Sequence, residues 1–274
     1  MTQGIFAIWR PLTVIGGLSL LLAVPKYVAA DAPAEAALAF DSYVRSVEAC
    51  LAQQHQSKQT FLAQPAELPS GNATRLRRGD LIVENLSASG GTELQGALLH
   101  HWRGTAFAAG ATPADFEQLM KNFNAYPQRF SPQVIRATSV AEQSGHFHAS
   151  LRVRQMHLIT VVMDTAYDVN FQQLDSQHGY SISRSTKIAE IESPGSSAER
   201  ALSSGEEHGF LWRQNTYWSY EERDGGLYMQ IESVSLTRSV PRGLRWIVAP
   251  FVESVPRESL EFTLRSVCTA IERK

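Results

Sequence analysis

The sequence predicts an α+β protein in which a curved antiparallel β-sheet wraps around a long C-terminal helix. Five strand-like runs follow one another between residues 146 and 238, and several of them alternate apolar with polar residues. Such alternation is typical of an antiparallel sheet with one covered face. The chain then closes with a helix from Pro256 whose apolar residues recur at helical spacing. These residues are Leu260, Leu264, Val267, Cys268 and Ile271.

The composition is that of an ordinary globular protein. Of the 274 residues, 43% are apolar and 19% are charged, which excludes a disordered, collagen-like or coiled-coil chain. The net charge is −2, so the chain lacks the global basic field that attracts nucleic acid. We therefore expect no nucleic-acid partner.

The N-terminus predicts export. Residues 11–24 carry no charge, follow Arg10, and fall short of the roughly 20 apolar residues of a membrane-spanning helix. The small residues at 28–30 fit a signal-peptidase site, and the chain turns polar directly after them. We predict a signal peptide over residues 1–30, cleaved near Ala30, and a periplasmic or secreted protein. An uncleaved N-terminal anchor is the alternative.

Two segments follow the signal peptide. Residues 31–91 hold an N-terminal helix, from Ala34 to about Gln56, and a less regular connecting stretch whose basic patch at residues 75–78 predicts a solvated surface. Residues 92–274 form the main domain. The apolar stripe expected on the N-terminal helix consists of Leu38, Val44 or Tyr43, Val47 and Leu51.

Local signals define the first elements of the main domain. The run from Gly96 to Ala109 predicts a strand. A helix begins after Thr112, which is a favourable N-cap, with Pro113 and Asp115 in the first turn. A further strand is expected near Val134–Val140.

The remaining strands and the terminal helix complete the pattern. The strand-like runs are His146–His157, Leu158–Gln172, Gly179–Ile191, Gly209–Glu222 and Leu227–Arg238. Between the last run and the terminal helix lies an apolar piece, Leu244–Val252, which Pro250 is expected to interrupt. This piece is either part of the core or a hinged flap whose Trp246 and Phe251 touch a membrane transiently during ligand exchange.

A hairpin turn fixes which residues share a face of the sheet. Asp224-Gly225 or Gly225-Gly226 is a strong two-residue turn signal, and either choice pairs even positions before it with odd positions after it. The covered face then offers one candidate ligand pocket, lined by Trp212, Gln214, Thr216, Trp218, Tyr220, Met229, Ile231 and Ser233. The opposite face is expected to meet water and carries Arg213, Asn215, Glu221, Gln230, Glu232 and Arg238.

Two interpretations of the covered face stay open. Large aromatic side chains with a few converging polar groups are typical of a pocket for an apolar ligand. The same residues would also suit a solid core packed against the terminal helix.

Several local motifs resemble those of the START-like (SRPBCC) superfamily, and in particular exported bacterial proteins of unknown function. The motifs are TPADFEQLMKNFNAYPQRFSPQV from Thr112, LHHWRGTAF from Leu99, GFLWRQNTYW from Gly209, EERDGGLY from Glu221 and SLTRSVPRGLRW from Ser235. The resemblance covers roughly residues 80–272 and implies a helix-grip fold. It also implies a cavity between sheet and terminal helix that often holds a lipid or another apolar molecule, but it implies no particular activity.

Candidate reactive groups are few. His146 and His148 share a strand face and could chelate a metal, but spacing alone supplies no further ligands, so we interpret them as surface histidines and expect no metal or cofactor. His100 and His101 point to opposite faces of their strand, and one of them could serve as a general base. No catalytic residue is assigned.

The two cysteines raise one structural question. An even number of cysteines in an oxidising compartment allows a disulfide between Cys50 and Cys268, which would tie the first helix to the last. The alternative is a pair of small buried side chains.

These observations lead to one preferred function. We expect an exported, soluble, monomeric protein that binds or carries a lipid-like small molecule between the sheet and the C-terminal helix. The alternatives are a cyclase- or hydrolase-like enzyme that uses the same cavity, with His100 or His101 as base, and a non-catalytic interaction protein with a filled core.

Overall fold

A computed structural model describes residues 31–64, 69–88, 91–143, 145–156, 160–203, 205–239 and 245–272. The helices are α1 (Ala34–Gln54), α2 (Pro69–Arg77), α3 (Pro113–Lys121), α4 (Tyr126–Arg129) and α5 (Arg245–Ile271). The strands are β1 (Ile82–Asn85), β2 (Thr92–Leu94), β3 (Ala97–Ala109), β4 (Val134–Gln143), β5 (His146–Met156), β6 (Thr160–Gln173), β7 (His178–Glu192), β8 (Arg200–Ala201), β9 (Arg213–Arg223) and β10 (Gly226–Arg238).

All ten strands belong to one antiparallel sheet. Its order is β1-β3-β10-β9-β7-β6-β5-β4, with β2 paired to β3 and β8 paired to β7. The strand-like runs seen in the sequence are therefore confirmed, with ends that shift by a few residues. The longest contiguous pairing joins β3 to β10, from Ala97↔Arg238 to Ala109↔Gly226. This pair of strands forms the centre on which the helices dock.

The face of the sheet that meets α3 and α5 is called the inner face. Its core combines side chains from β3, β9 and β10 with Phe116 and Met120 of α3. The stripe expected on the terminal helix takes part, because Leu260, Leu264 and Val267 are buried in the same cluster. The sheet curves around the C-terminal helix as expected, which makes the fold α+β with a helix-grip arrangement.

Helix α1 covers the opposite face, called the outer face, and this corrects the prediction that it meets water. An apolar stripe on α1 packs against Leu99 of β3, Tyr217 of β9 and Val234 of β10. The expected members Val44, Val47 and Leu51 are buried, together with Ala36 and Phe40. Leu38 was wrongly assigned to the stripe, since its side chain is exposed.

The polar residues beneath α1 are buried as well. Asn215, Gln230 and Glu232, expected in water, are each less than a tenth exposed. They persist in the interior because each finds hydrogen-bond partners, as buried polar groups must. The outer face is therefore a second core layer rather than a wet surface along β3, β9 and β10.

The β9–β10 turn follows the predicted geometry. Arg223 pairs with Gly226, so the turn is the two-residue Asp224-Gly225, with φ of 55° and 77° at its two positions. Positive φ at both positions is the type I′ pattern, which matches the twist of a hairpin. The resulting register sets Tyr220 beside Met229, Trp218 beside Ile231 and Thr216 beside Ser233. These three pairs lie on one face of the hairpin, as predicted.

Two local predictions were wrong. Pro250 does not interrupt the terminal helix, and the helix begins well before Pro256. Helix α5 runs unbroken from Arg245 to Ile271. Residues 57–91 contain a helix, α2, and a strand, β1, that joins the sheet beside β3. The stretch before residue 92 thus contributes to the main sheet.

The predicted signal peptide, residues 1–30, lies outside the described residues. Within the part of the chain that the structure describes, no helix combines the length and apolar character needed to cross a membrane.

Candidate functional site

Helix α5 lies along β3 and divides the inner face into two regions. Leu264 stands over Gly104, where an added Cβ atom would come within 2.7 Å of the leucine Cδ1. Cys268, one turn further along the helix, lies 3.9 Å from the backbone oxygen of Phe107. The helix therefore advances in the same direction as the strand. Its C-terminal half covers the end of β3 near Phe107.

The inner face under this half of α5 is a packed core around Trp218 and Tyr220. Four residues assigned to the pocket lie here and are at most 4% exposed: Trp218, Tyr220, Met229 and Ile231. Phe116 of α3 fills the space beside them, with its ring 5.2 Å from Trp218 and 4.6 Å from Tyr220. Of the two interpretations of the covered face, the solid core therefore describes this region.

Tyr220 shows how closely this core is packed. Its ring lies over Gly179 of β7, where any Cβ atom would clash with it. Its hydroxyl lies 2.7 Å from the Glu117 carboxylate on α3, to which it donates. Burial raises the pKa of Tyr220, so the hydroxyl keeps its proton and stays a donor. The side chain locks α3 to β9.

The other region of the inner face carries a row of polar groups, which we call the polar row: Gln214, Thr216 and Ser233, with Tyr167 of β6. All four side chains are only partly buried. The Tyr167 hydroxyl donates to Gln214 Oε1 at 3.0 Å, and Gln214 Nε2 donates to Ser233 Oγ at 3.4 Å. Three of the four residues were predicted from the hairpin register.

Tyr167 was not predicted as a site residue. It lies two strands away from Gln214, and only the pairing of β6 with β7 and of β7 with β9 brings the two residues together. Burial raises the pKa of Tyr167 to about 12, so its hydroxyl is neutral and donates at physiological pH. The polar row is uncharged throughout.

The two adjacent histidines of β3 lie on opposite faces, as expected. His100 is on the inner face, buried, with Nε2 3.1 Å from the Thr237 hydroxyl. Burial lowers its pKa to about 4, so the ring is neutral at pH 7 but is a weak base there. This environment disfavours His100 as the base of the enzyme alternative.

His101 belongs to a buried network under α1. Its Nε2 lies 2.9 Å from Glu232 and its Nδ1 lies 2.9 Å from the Tyr43 hydroxyl. Arg103 donates to the other Glu232 oxygen at 3.0 Å. Burial opposes the ionisation of Glu232, but His101 and Arg103 outweigh it and lower the pKa of the carboxyl group. His101 therefore faces away from the polar row and holds α1 in register.

Trp212 does not join the other predicted pocket residues. It precedes β9 and packs against the apolar cluster under α1, near Arg238. Trp246 and Phe251, proposed to touch a membrane, lie on α5, but their side chains are outside the described part of the structure.

Of the two alternatives for the cysteines, the disulfide is absent. Cys50 and Cys268 are both free, with Cys50 exposed on α1 and Cys268 partly buried on α5. The two helices cover opposite faces of the sheet, which separates the thiols by far more than the 4.4–6.8 Å Cα spacing typical of a disulfide. Burial raises the pKa of the Cys268 thiol to about 12, so it is not a nucleophile.

The sheet curved around the C-terminal helix is the arrangement implied by the sequence motifs. The fold is START-like. No family model matches the sequence, and no curated protein sequence does.

Several solved structures are similar in fold. A START superfamily protein from Mycobacterium smegmatis is 12% identical, with 64% of this chain and 96% of that chain covered and a TM-score of 0.41. The Zhui aromatase/cyclase from Streptomyces sp. R1128 is 13% identical, with 62% and 92% covered and a TM-score of 0.42. A STAR-related lipid transfer protein from Xanthomonas axonopodis is 16% identical, with 62% and 96% covered and a TM-score of 0.36. Likenesses of this size do not indicate what this chain binds.

Proposed function

We propose that this chain binds an apolar, lipid-like small molecule against the polar row of the inner face. The observation that carries the proposal is the contrast between the two regions of that face. Trp218, Tyr220, Met229 and Ile231 under α5 are almost fully buried, while Gln214, Thr216 and Ser233 remain partly accessible. In small-molecule pockets generally, a few polar groups on an otherwise apolar wall fix the orientation of the ligand.

The surroundings of the polar row favour an apolar ligand body. Leu151 packs against the inner core and is partly buried, and Val153 follows it on the same face of β5. Ile188 of β7 is partly buried too. Burying such exposed apolar area against a ligand contributes about 25 cal/mol per Å². A hydrocarbon body beside these residues therefore supplies affinity.

The chemistry of the polar row favours an uncharged head group. Tyr167 stays protonated, and Gln214 and Ser233 carry no charge. Placing an ionised carboxylate there without a cationic partner would cost several kcal/mol. The preferred ligands are therefore alcohols, esters or amides with long apolar parts, and fatty-acid anions bind less well.

The composition of the N-terminal segment supports a proposal about where this binding takes place. We propose that residues 1–30 direct export and that the remainder acts in the periplasm or as a secreted monomer. Trp246 and Phe251 are the residues proposed to touch a membrane when ligand is exchanged. N-terminal sequencing of the protein from each cellular fraction tests this part, with a new terminus at Asp31 expected in the exported fraction.

Organic extraction of the purified full chain, followed by mass spectrometry, tests ligand binding. We expect a co-purifying apolar molecule that is lost when Thr216 is replaced by Phe, since the added ring occupies the space beside the polar row. Thr138→Phe is the matched control, because Thr138 lies exposed on the outer side of β4. Recovery of no molecule from the unaltered chain, or equal recovery from Thr216→Phe, would contradict the proposal.

A further inference from the structure

Four side chains meet on the outer face of the sheet, at the end of the β4–β5 hairpin. His146 and His148 are two residues apart on β5 and project to the same side, with ring centroids 5.1 Å apart. Asp168 of β6 is directly opposite His148 in the strand register. Glu142 of β4 reaches the pair because an irregularity between Ala141 and Gln143 shifts the register of β4. We call this group the His-carboxylate cluster.

The Glu142 carboxylate bridges the two imidazole rings. One of its oxygens lies 2.8 Å from His148 Nε2, and the other lies 3.2 Å from His146 Nδ1. One potential ligand atom from each of these three residues lies within 4.8 Å of the corresponding atoms of the other two. Ligands held at 2.0–2.2 Å from a zinc ion stand about 3–4 Å apart, so little movement would bring all three onto one ion.

Asp168 contacts the ring nitrogens that Glu142 leaves free. Its Oδ1 atom lies 3.2 Å from His146 Nε2 and 2.7 Å from His148 Nδ1. A histidine that binds a metal through one nitrogen commonly donates the other N–H to a carboxylate, which fixes the ring and its tautomer. Asp168 stands in that position toward both rings at once. This second observation is independent of the spacing of the three donors.

We propose that Glu142, His146 and His148 bind a divalent transition-metal ion, Zn²⁺ in the first place, on the outer face of the sheet. Glu142 supplies a carboxylate oxygen, His146 supplies Nδ1 and His148 supplies Nε2, while Asp168 positions both imidazoles. Two imidazoles and a carboxylate form a donor set that suits zinc, and three protein ligands leave one tetrahedral position open to water.

The setting is compatible with metal entry. All four side chains of the cluster are between 30% and 52% exposed, so an ion reaches them from solvent without a change of fold. The nearest basic side chain in the register is Arg184, opposite Asp168 on β7. It is engaged by Glu48 of α1 through two bonds of 2.8 Å, which leaves Asp168 available to the histidines.

Titration of the full chain, made without a polyhistidine tag and freed of metal by a chelator, tests the site. We expect isothermal titration calorimetry with Zn²⁺ to show saturable binding of one ion per chain. Mg²⁺ should bind more weakly than Zn²⁺, because it prefers oxygen ligands and keeps its water shell. The same titration includes Cu²⁺ and Ni²⁺, which imidazole ligands also suit.

Single replacements locate the ion. His146→Ala, His148→Ala and Glu142→Gln each remove one ligand and should abolish the one-to-one binding. Asp168→Asn keeps the three ligands but loses the carboxylate behind them, and should weaken binding about 10- to 100-fold. His208→Ala is the matched control, because this more exposed histidine pairs with Glu190 at 2.8 Å outside the cluster. Far-UV circular dichroism and thermal unfolding establish that each variant is folded.

The outcomes are distinct. Binding that is lost in the three ligand variants and kept in His208→Ala supports the site. Absence of saturable Zn²⁺ binding to the unaltered chain, or binding that survives His148→Ala, overturns it and leaves the cluster as a set of surface ion pairs. Neither result depends on the inner-face ligand, because the cluster lies on the outer face.

Discussion

Leu264 of α5 rests directly on Gly104 of β3, so the C-terminal helix approaches the sheet where the strand has no side chain. A Cβ atom at position 104 would lie 2.7 Å from Leu264 Cδ1 and 3.4 Å from Ile231 Cγ2. Both neighbours are buried in the inner core. Glycine at this position sets how closely the helix and the sheet can pack.

The first prediction concerns this contact. Gly104→Ala should lower the free energy of unfolding by about 1–3 kcal/mol, the usual effect of an extra methyl group in a packed core. Urea unfolding followed by tryptophan fluorescence measures it. Gly71→Ala is the control, since position 71 lies on α2 with no atom near an added Cβ, and stability should stay the same or rise slightly. Equal stability of Gly104→Ala and the unaltered chain would contradict the contact.

The second prediction concerns the buried carboxylate under α1. Glu232→Gln should lower the free energy of unfolding by about 3 kcal/mol at neutral pH, because Arg103 loses the nearer of its two carboxylate partners in the interior. The pKa of Glu232 is lowered by folding, so its stabilising effect is present above the ordinary value of 4.5 and is lost as the pH falls below it.

The difference in free energy of unfolding between the unaltered chain and Glu232→Gln should therefore become smaller at progressively lower pH. Glu192→Gln removes a carboxylate from an exposed pair with Arg200 and serves as the control. Its effect should stay within about 1 kcal/mol. If the difference in free energy of unfolding does not change with pH, the destabilisation comes from altered packing and not from the lost charge.

The third prediction concerns His100. Its pKa of about 4 lies below the ordinary value of 6.5, so the unfolded chain binds a proton in that interval that the folded chain does not. Protonation of this histidine in the unfolded chain should lower the free energy of unfolding by about 2–3 kcal/mol as the pH falls from roughly 7 to 4. His100→Asn should flatten the pH dependence in urea titrations. Some slope should remain, because burial lowers the pKa of His55 to about 4 as well.

The fourth prediction concerns the hairpin turn. Gly225 has a φ of 77° and no atom within 4 Å of an added Cβ, so Gly225→Ala meets backbone strain without a steric clash. We expect a loss of about 1–2 kcal/mol in thermal unfolding. Gly205→Ala, at an equally open position without a positive φ, should change little. Similar losses in both variants would show that the left-handed conformation is not the cause.

The parts of the fold that could be predicted from the sequence are those encoded locally. Thr112 and Asp115 form the reciprocal cap that their spacing indicates, with Asp115 N bonded to the Thr112 hydroxyl and Thr112 N bonded to the carboxylate. Asp224 and Gly225 form the turn that their residue types favour. From that turn, the alternation of β9 and β10 fixes Gln214 and Ser233 on one face.

The parts that could not be predicted depend on distant partners. Glu232 and Gln230 are polar residues on alternating positions, which is also the pattern of a wet face. Only the docking of α1, whose stripe indicates burial but not the surface it covers, shows that they are interior. Glu142 joins His146 through a register shift in β4, and a single irregular residue leaves no trace in the periodicity of the sequence.

The position of α1 has a consequence for the order of folding. The helix precedes the strands that it covers, and its partners Arg213 and Tyr217 lie 172 and 169 residues after the α1 residues that they contact. Closing loops of that length is entropically costly and slow, so we expect the apolar stripe of α1 to stay exposed until the β9–β10 hairpin has formed. During that interval the stripe is the segment most in need of protection from aggregation, and its docking marks the completion of the domain.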